Sequence, residues 1–347
     1  MNLRTIKDLE IDNKTALLRV NFDVPQTDGK ILDDTRINNS FETIRYLLSK
    51  NCKVIILSHL GRPKGSITPQ LSLKSVAFKL QEMIPYTKVN FSTEIFGLTT
   101  QEFIKNMRNA EILLLENLRF DPHEEENSEE FAKMLAGLGD FYVNEAFAVS
   151  HRKHASIVGI PKFLPSSAGF AFLREVETLS LLKQNAQKPI VIILGGKKQD
   201  KLRFTETFSN WADQILIGGL LPRIIGKEGQ VNGKVTFAAL TADGKDITLE
   251  SSDKFKEIII GGKTIIWNGT MDLFEDRHNQ AGTRIIASSI VEANAKRYAG
   301  GGDTTSAIKQ LNLTDKFDYI SSGGGAMLEM LAFGKIAGME ALQTKNE

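Results

Sequence analysis

Two glycine triplets near the end of the chain, Gly300, Gly301, Gly302 and Gly323, Gly324, Gly325, are the residues whose type and spacing point most directly to chemistry. Each follows a short apolar run and precedes a helix-like stretch, which places bare backbone N–H groups at helix starts, where phosphate oxygens bind. The first triplet runs into Asp303 and Thr304, a hard oxygen ligand for Mg²⁺ beside a hydroxyl. One triplet alone is explained as well by a tight strand end. Two of them, one carrying Asp and Thr, point to a polyphosphate site.

Further candidates fall into two sets. In the first half, Asn21, Asp23, Arg36, His59, Arg62, Arg119 and Arg152, with His151 and His154 beside the last, sit just after short apolar runs or between them. Guanidinium forks match phosphate and carboxylate oxygens bidentately, so several arginines converging on one crevice suit a small, multiply anionic metabolite. Any one of them alone is better explained as a solvated charge or a structural ion pair; their shared location at strand ends reverses that. The run Glu124, Glu125, Glu126 reads as a solvated loop without a role. The second half supplies Gly195 and Gly196 followed by Lys197, Lys198 and Lys201, then Gly218 and Gly219, Asn268 and Gly269, Glu275, and the triplets. Lysines at a loop-to-helix junction neutralise phosphates, a glycine pair lets a flat base approach the backbone, and Glu275 could accept from ribose hydroxyls.

The elements that must position these groups alternate. Apolar runs at Ala16 to Phe22, Val54 to Ser58, Glu111 to Glu116 and Phe141 to Val143 are separated by helical stretches at Ile37 to Ser49, Leu73 to Met83 and Glu129 to Leu138. The rhythm restarts with Ile190 to Leu194, Gln214 to Ile217, Val235 to Ala238, Thr264 to Trp267 and Phe317 to Ser321. Runs that are apolar throughout are those of parallel strands covered on both faces. Between the halves, Phe172, Val176, Leu179 and Leu182 recur at helical spacing within Gly169 to Lys183. The expected fold class is α/β: two doubly wound, Rossmann-like parallel-sheet domains, 1–168 and 184–332, joined by a linker helix at 169–183, with a cleft between them. In such sheets ligands collect beyond the carboxyl ends of the strands.

A chain of 347 residues exceeds what one core usually organises. With 41% hydrophobic and 24% charged residues and a formal net charge of +1, it lacks the basicity of a nucleic-acid binder. The single Cys52 forms no intramolecular disulfide, the N-terminus lacks a signal-peptide core, and no apolar run reaches membrane-spanning length. A cytoplasmic protein without nucleic-acid or membrane partners, and a monomer, is expected.

Neither a G-x-x-x-x-G-K-[ST] loop nor a G-x-G-x-x-G after the first strand is present, which weakens the two common nucleotide-binding rivals. A cationic metabolite pocket on one domain and nucleotide loops on the other imply a two-domain kinase that closes on its ligands. No acid–base pair or nucleophile stands out. A carboxylate acceptor, ionised at neutral pH with a pKa near about 4, would need no general base, leaving positioning and charge neutralisation to carry the transfer.

Ten segments in order, RVNFDVP, DDTRI, SHLGRPKG, LLLENLRF, VNEAF, HRKHAS, ILGGKKQDK, IWNGTM, GGGDTT and SSGGGAMLE, resemble the phosphoglycerate kinase family over nearly the whole chain. The resemblance implies exchange of a phosphoryl group between 1,3-bisphosphoglycerate and ADP, giving 3-phosphoglycerate and ATP with Mg²⁺. It implies that Asn21, Asp23, Arg36, His59, Arg62, Arg119 and Arg152 bind 3-phosphoglycerate, Arg36 also reaching the transferring group. A lysine of GGKKQDK would neutralise that group, with Lys201 on the inner phosphates along the Gly195–Gly196 loop. Gly218, Gly219, Asn268 and Glu275 would hold the nucleoside, Asp303 would hold Mg²⁺, and Gly301, Gly302 and Thr304 with the backbone of Gly324 and Gly325 would meet the phosphates. A tail at 333–347 would return to the first domain.

The chain departs from the family in several places. D-F-N appears as Asn21, Phe22, Asp23, exchanging carboxylate and amide. The G-G-A-K-V-x-D-K loop is one residue shorter, so the catalytic lysine is Lys197 by its spacing to Lys201 or Lys198 by its distance from Gly196; the helical register favours Lys197. Thr270 and Asp272 replace Pro and Gly of W-N-G-P-M-G, and Thr248 replaces a glycine, all around the nucleoside pocket. The chain is short for the family, with losses after Gly219 and around Leu240. These changes keep alive a rival reading, a non-catalytic relative that only binds its ligands, and arginine clusters alone would also suit another small phosphorylated carboxylate.

Overall fold

A computed structural model describes residues 3–274, 276 and 279–343. The chain divides into two compact units, one running to Glu177 and completed by the segment from Lys335, the other Thr178–Gly334. The strands of the first are β1 Thr15–Arg19, β2 Gln26–Thr27, β3 Lys30–Ile31, β4 Lys53–Leu57, β5 Val89–Phe91, β6 Ile112–Leu114, β7 Phe141–Asn144 and β8 Ser166–Ala168. β2 and β3 form a separate hairpin, and the other six make a parallel sheet in the order β5-β6-β4-β1-β7-β8. β1, β4 and β7 are apolar at their centres and buried along nearly their whole length, as parallel strands covered on both faces require. Helices with one apolar stripe cover them: Phe41–Ser49 buries Ile44 and Leu47, and Lys74–Met83 buries Val76 and Leu80. These side chains join Leu18, Val54, Ile56, Leu114 and Val143 in one core, each worth about 1.5–3 kcal/mol of burial.

The second unit holds β9 Ile190–Leu194, β10 Gln214–Ile217, β11 Val231–Asn232, β12 Val235–Phe237, β13 Thr264–Asn268, β14 Lys296–Gly300 and β15 Tyr319–Ser321. Their order is β11-β12-β10-β9-β13-β14-β15, parallel apart from the edge strand β11. Leu194 is in register with both Ile217 and Asn268, and Gly300 with Ser321. The loops that leave these strands therefore start at one level of the sheet. The shortened stretch around Leu240 is closed by a bridge between Leu240 and Ile247, with Thr241 donating its N–H to Asp246 O and its hydroxyl to Asp243. Thr248 serves as the N-cap of the helix Leu249–Ile260, accepting from Ser251 N–H, a use of its hydroxyl that glycine lacks.

Sequence spacing misses β5, β8 and β14, whose compositions, VNF, SSA and KRYAG, carry no apolar run. The helix expected over Ile37 to Ser49 is two, Thr35–Asn38 and Phe41–Ser49, broken at Asn39 and Ser40, residue types with weak helix preference. No described helix is long and apolar enough to cross a membrane. The C-terminal helix Ala337–Leu342 belongs to the first unit, where Gly338 N–H donates to Ser150 O at 2.7 Å.

The helix Phe170–Asn185 contains the division between the units, and Phe172, Val176, Leu179 and Leu182 are its buried face. Its first turn is held by Glu145 at the end of β7. The carboxylate accepts from the N–H groups of Ala171 and Phe172, both at 3.1 Å, and from the Thr43 hydroxyl at 2.6 Å. A Cβ on Gly169 would lie 2.2 Å from Glu145 Oε2, so only glycine admits the carboxylate there. Burial, only partly opposed by these donors and by Arg174, pushes Glu145 up from 4.5 to about 7. The folded protein thus keeps this proton longer than the unfolded chain, and stability falls as pH rises from 4.5 through about 7. Glu145→Gln, which cannot ionise, is expected to gain melting temperature relative to the parent as pH rises over that range; parallel profiles in thermal melts would remove Glu145 as the source.

Candidate functional site

In the first unit the sequence-identified groups lie beyond the carboxyl ends of β1, β4, β6 and β7, and a fully buried guanidinium organises them. Arg19, the last residue of β1, donates Nε–H to Ser156 Oγ at 2.7 Å, one Nη to Val20 O, and the other to His59 Nδ1 at 3.1 Å. Its counter-charge is Glu124, also fully buried, whose Oε1 stands 3.8 Å from Arg19 and 2.6 Å from the Ser156 hydroxyl, while Oε2 accepts from Ser156 N–H. This corrects the reading of Glu124, Glu125 and Glu126 as a solvated loop. Glu124 lies in the helical turn Pro122–Glu125, buried because it neutralises Arg19, and Glu125 lies 3.1 Å from Arg119 Nε. Sequence reasoning passed over Arg19 as well. The available signal was a guanidinium inside the apolar run TALLRVNF, where a lone charge needs a buried partner.

Around this centre, Asp23 Oδ1 accepts from Gly61 N–H at 2.8 Å, and Arg36 donates to Asp23 O and faces its carboxylate at 3.5 Å. Arg119 donates to Gly61 O at 2.8 Å, and burial among Arg19 and Arg152 lowers its pKa to about 10 despite Glu125. Asn21 is buried with Oδ1 lacking a partner among the described residues, a state that a ligand hydroxyl would relieve. Arg152 is half-buried beside the pair His151 and His154, and Arg62 is exposed. Burial, then the surrounding arginines, depresses His59 well below the imidazole range and His154 to about 3. Both rings are neutral at physiological pH, and the charge of the pocket resides in its guanidinium groups.

In the second unit the loops after β9, β10, β13, β14 and β15 meet at the point where strand order reverses, between β9 and β13. Lys201 is pinned there, donating to Gly195 O at 2.9 Å and Asn268 O at 3.2 Å, one from each of the two central strand ends. Two of its three ammonium protons are used, and one is left for a ligand. Burial lowers Lys201 to about 8, against the attraction of Asp303 and with added repulsion from Lys198. Lys197 and Lys198 are both exposed, and Lys198 is the one whose charge Lys201 feels. Asp303 is exposed in the first turn of the helix Gly302–Gln310, as are the backbone groups of Gly302 beside it. Thr304 is fully buried and its Oγ1 accepts from Gly269 N–H at 2.6 Å. Thr270 and Asp272 are also buried, Asp272 accepting from Thr283 N–H at the start of the helix Ala281–Glu292. Glu275 lies outside the described residues.

The glycines are where side chains would collide. A Cβ on Gly219, which has φ +63°, would sit 2.3 Å from Gly196 N, and one on Gly218 2.5 Å from Met271 Sδ. The helix Gly324–Phe333 begins against the first triplet: a Cβ on Gly324 would lie 2.6 Å from Asn268 Nδ2 and 2.7 Å from Gly301 Cα. Asn268 in turn donates to Gly300 O at 2.7 Å. The two triplets therefore form one bare-backbone cradle around Asn268, with two helix starts opening from it. Gly324→Ala is expected to cost about 1–3 kcal/mol through overpacking alone, read as a lowered denaturant midpoint of the second unit; an unchanged midpoint would show that the triplets are not in contact.

A cationic pocket on one α/β unit and a lysine-and-glycine polyphosphate cradle on the other define the class as a two-unit phosphotransferase. The sequence profile of the family described as phosphoglycerate kinase matches residues 6–237 and 227–335. A phosphoglycerate kinase of Finegoldia magna is 38% identical over 99% of this chain and 100% of its own length, and one of Coprothermobacter proteolyticus 36% over 95% and 96%. Among solved structures, phosphoglycerate kinase from Pyrococcus horikoshii superposes with a TM-score of 0.83 at 28% identity, covering 98% of both chains, and that from Coxiella burnetii with 0.76 at 28%, covering 98% and 99%. The chain belongs to the phosphoglycerate kinase family and is an enzyme.

Proposed function

We propose that this enzyme catalyses the reversible, Mg²⁺-dependent transfer of a phosphoryl group between 1,3-bisphosphoglycerate and ADP, giving 3-phosphoglycerate and ATP, as a cytoplasmic, monomeric enzyme of glycolysis and gluconeogenesis. The observation that carries the reading is the pairing of a guanidinium pocket built on Arg19 and Glu124 with a polyphosphate cradle built on Lys201. In the direction of ATP use, a carboxylate oxygen of 3-phosphoglycerate forms the new bond to phosphorus as the bond to the departing ADP oxygen breaks. No proton moves, since the carboxylate is already ionised. Neutral His59 and His154 support this: imidazoles held far below their usual range by burial and arginines are poor proton acceptors and serve as neutral polar contacts.

Each group then has a task. Arg62, Arg119, Arg152 and His59 bind the phosphate and carboxylate, Asn21 and Asp23 the hydroxyl, and Arg36 the phosphoryl group in transfer. Lys201 and the N–H groups of Gly324 and Gly325 neutralise the phosphates, with Gly195, Gly196, Gly218, Gly219 and Asn268 shaping the nucleotide's seat. Lys197 and Lys198, both exposed on the loop that leads to Lys201, are the two candidates for the cation at the transferring group. Asp303, an exposed carboxylate at a helix start beside the phosphate cradle, fits Mg²⁺, which takes one or two carboxylates plus substrate phosphates; when bound it supplies charge neutralisation at the phosphates. The transfer requires the two ligands to come within bonding distance, so closure of the units is part of the reading.

A coupled assay with 3-phosphoglycerate and Mg·ATP tests the whole. Turnover is expected, and its absence in both directions with folded protein would reject the function. Arg36→Ala is expected to lower kcat by on the order of a hundredfold or more with the melting temperature nearly unchanged. Because Lys201 titrates near about 8 in the free protein, nucleotide affinity measured by calorimetry should weaken as pH rises above that value; a flat profile extending a full unit beyond it would remove Lys201 from the phosphates.

A further inference from the structure

We propose that Arg19 is a positioning residue that fixes the protonation of His59, holding the ring as the neutral tautomer with its proton on Nε2. The inference rests on the proposed anion-binding role of this pocket for its functional meaning, though not for its test. A guanidinium only donates hydrogen bonds. The 3.1 Å contact from Arg19 Nη to His59 Nδ1 therefore makes Nδ1 the acceptor and leaves the ring's single proton on Nε2. Arg19 cannot rotate away, because its other nitrogens are committed to Ser156 Oγ and Val20 O and its charge to Glu124.

The surroundings also oppose a second proton. The charged and titratable groups that act on His59 are Arg19, Arg119, Arg36 and His154, every one of them cationic or able to become so. Nε2 has no partner among the described residues and is not one of the fully enclosed polar atoms that lack one, so the trace of exposure His59 retains lies at that nitrogen. The result is a donor aimed out of the protein that carries no charge. It adds a directed N–H for an anionic oxygen without adding to the repulsion among the arginines. Arg19 itself is completely buried and offers no surface to a ligand; it acts through His59. The opposite tautomer would set Nδ1–H against the guanidinium and present a lone pair to the anion.

The experiment is a two-bond ¹H–¹⁵N correlation on the full-length, ¹⁵N-histidine-labelled protein without ligand. The five histidines are resolved and His59 is assigned from the signals lost in His59→Gln. The expected pattern is a protonated Nε2 and an unprotonated Nδ1 that persist from about pH 8 to about pH 5.5, below the usual imidazole midpoint. A protonated Nδ1, or a ring that charges in that range, would overturn the proposal. In Arg19→Met combined with Glu124→Gln, which removes both buried charges together, His59 is expected to show mixed tautomers, and calorimetric affinity for 3-phosphoglycerate to fall about tenfold. If His59 keeps the Nε2 tautomer in that variant, Arg19 does not set it. If the variant does not fold, the parent spectrum still decides. If 3-phosphoglycerate fails to bind the parent, the functional reading fails while the tautomer is read independently.

Discussion

Several cations gathered around one crevice repel one another, and the buried pair of Arg19 and Glu124 is what lets the first unit hold them. At roughly 4 Å and an effective dielectric near about 20, opposite unit charges attract by about 4 kcal/mol, which is comparable with the several kcal/mol that each ion loses on leaving water. The pair therefore adds little net stability. Its value is geometric: Ser156, His59 and the end of β1 are all held to it by hydrogen bonds. An arginine pocket lacking this internal anion would leave a guanidinium buried without a counter-charge, the costly arrangement that the pair avoids.

The second unit solves the converse problem with backbone. Its ligand is expected to bring the negative charge, so the site must offer N–H groups and little side-chain bulk. Lys201 fastens the carbonyls that end β9 and β13, leaving one ammonium proton and two glycine-lined helix starts directed outward. Its lowered pKa is the sign that this cation is held in a poorly solvated place waiting for an anion. The two units thus share a design, a parallel sheet whose central strand ends are tied by one buried cation, although the partners of that cation differ: a carboxylate in one unit, carbonyls in the other.

The departures from the family pattern are absorbed locally. Thr248 caps the helix Leu249–Ile260, Asp272 caps Ala281–Glu292, and the shortened stretch after Leu240 is closed by a Thr241–Asp246 turn. Thr248 satisfies a backbone N–H of its own helix, whereas Asp272 reaches across to the first turn of the helix Ala281–Glu292. Thr270 lies against the lysine loop itself, its carbonyl accepting from Gly196 N–H at 2.7 Å, and Lys201 keeps its bonds to Gly195 O and Asn268 O.

Much of this could be read before any coordinates. The apolar runs of β1, β4, β9, β10 and β13 are continuous because both faces of a parallel strand are buried, and the helix between the units showed itself in the spacing of Phe172, Val176, Leu179 and Leu182. Glycines that admit no Cβ, and arginines and lysines placed after strands, likewise declare themselves by type and position. What the sequence could not disclose is pairing at a distance. Glu124 in a run of three glutamates looks solvated, and Arg19 in a strand looks anomalous, until the fold sets them 3.8 Å apart. The same holds for the contact of Arg19 with His59, which decides where one proton sits. By itself the sequence determined which residues are available and which element each belongs to, because periodicity and steric allowance are local. Tertiary structure alone decided which charges are buried together, because burial and Coulomb energy depend on distances that chain order does not encode.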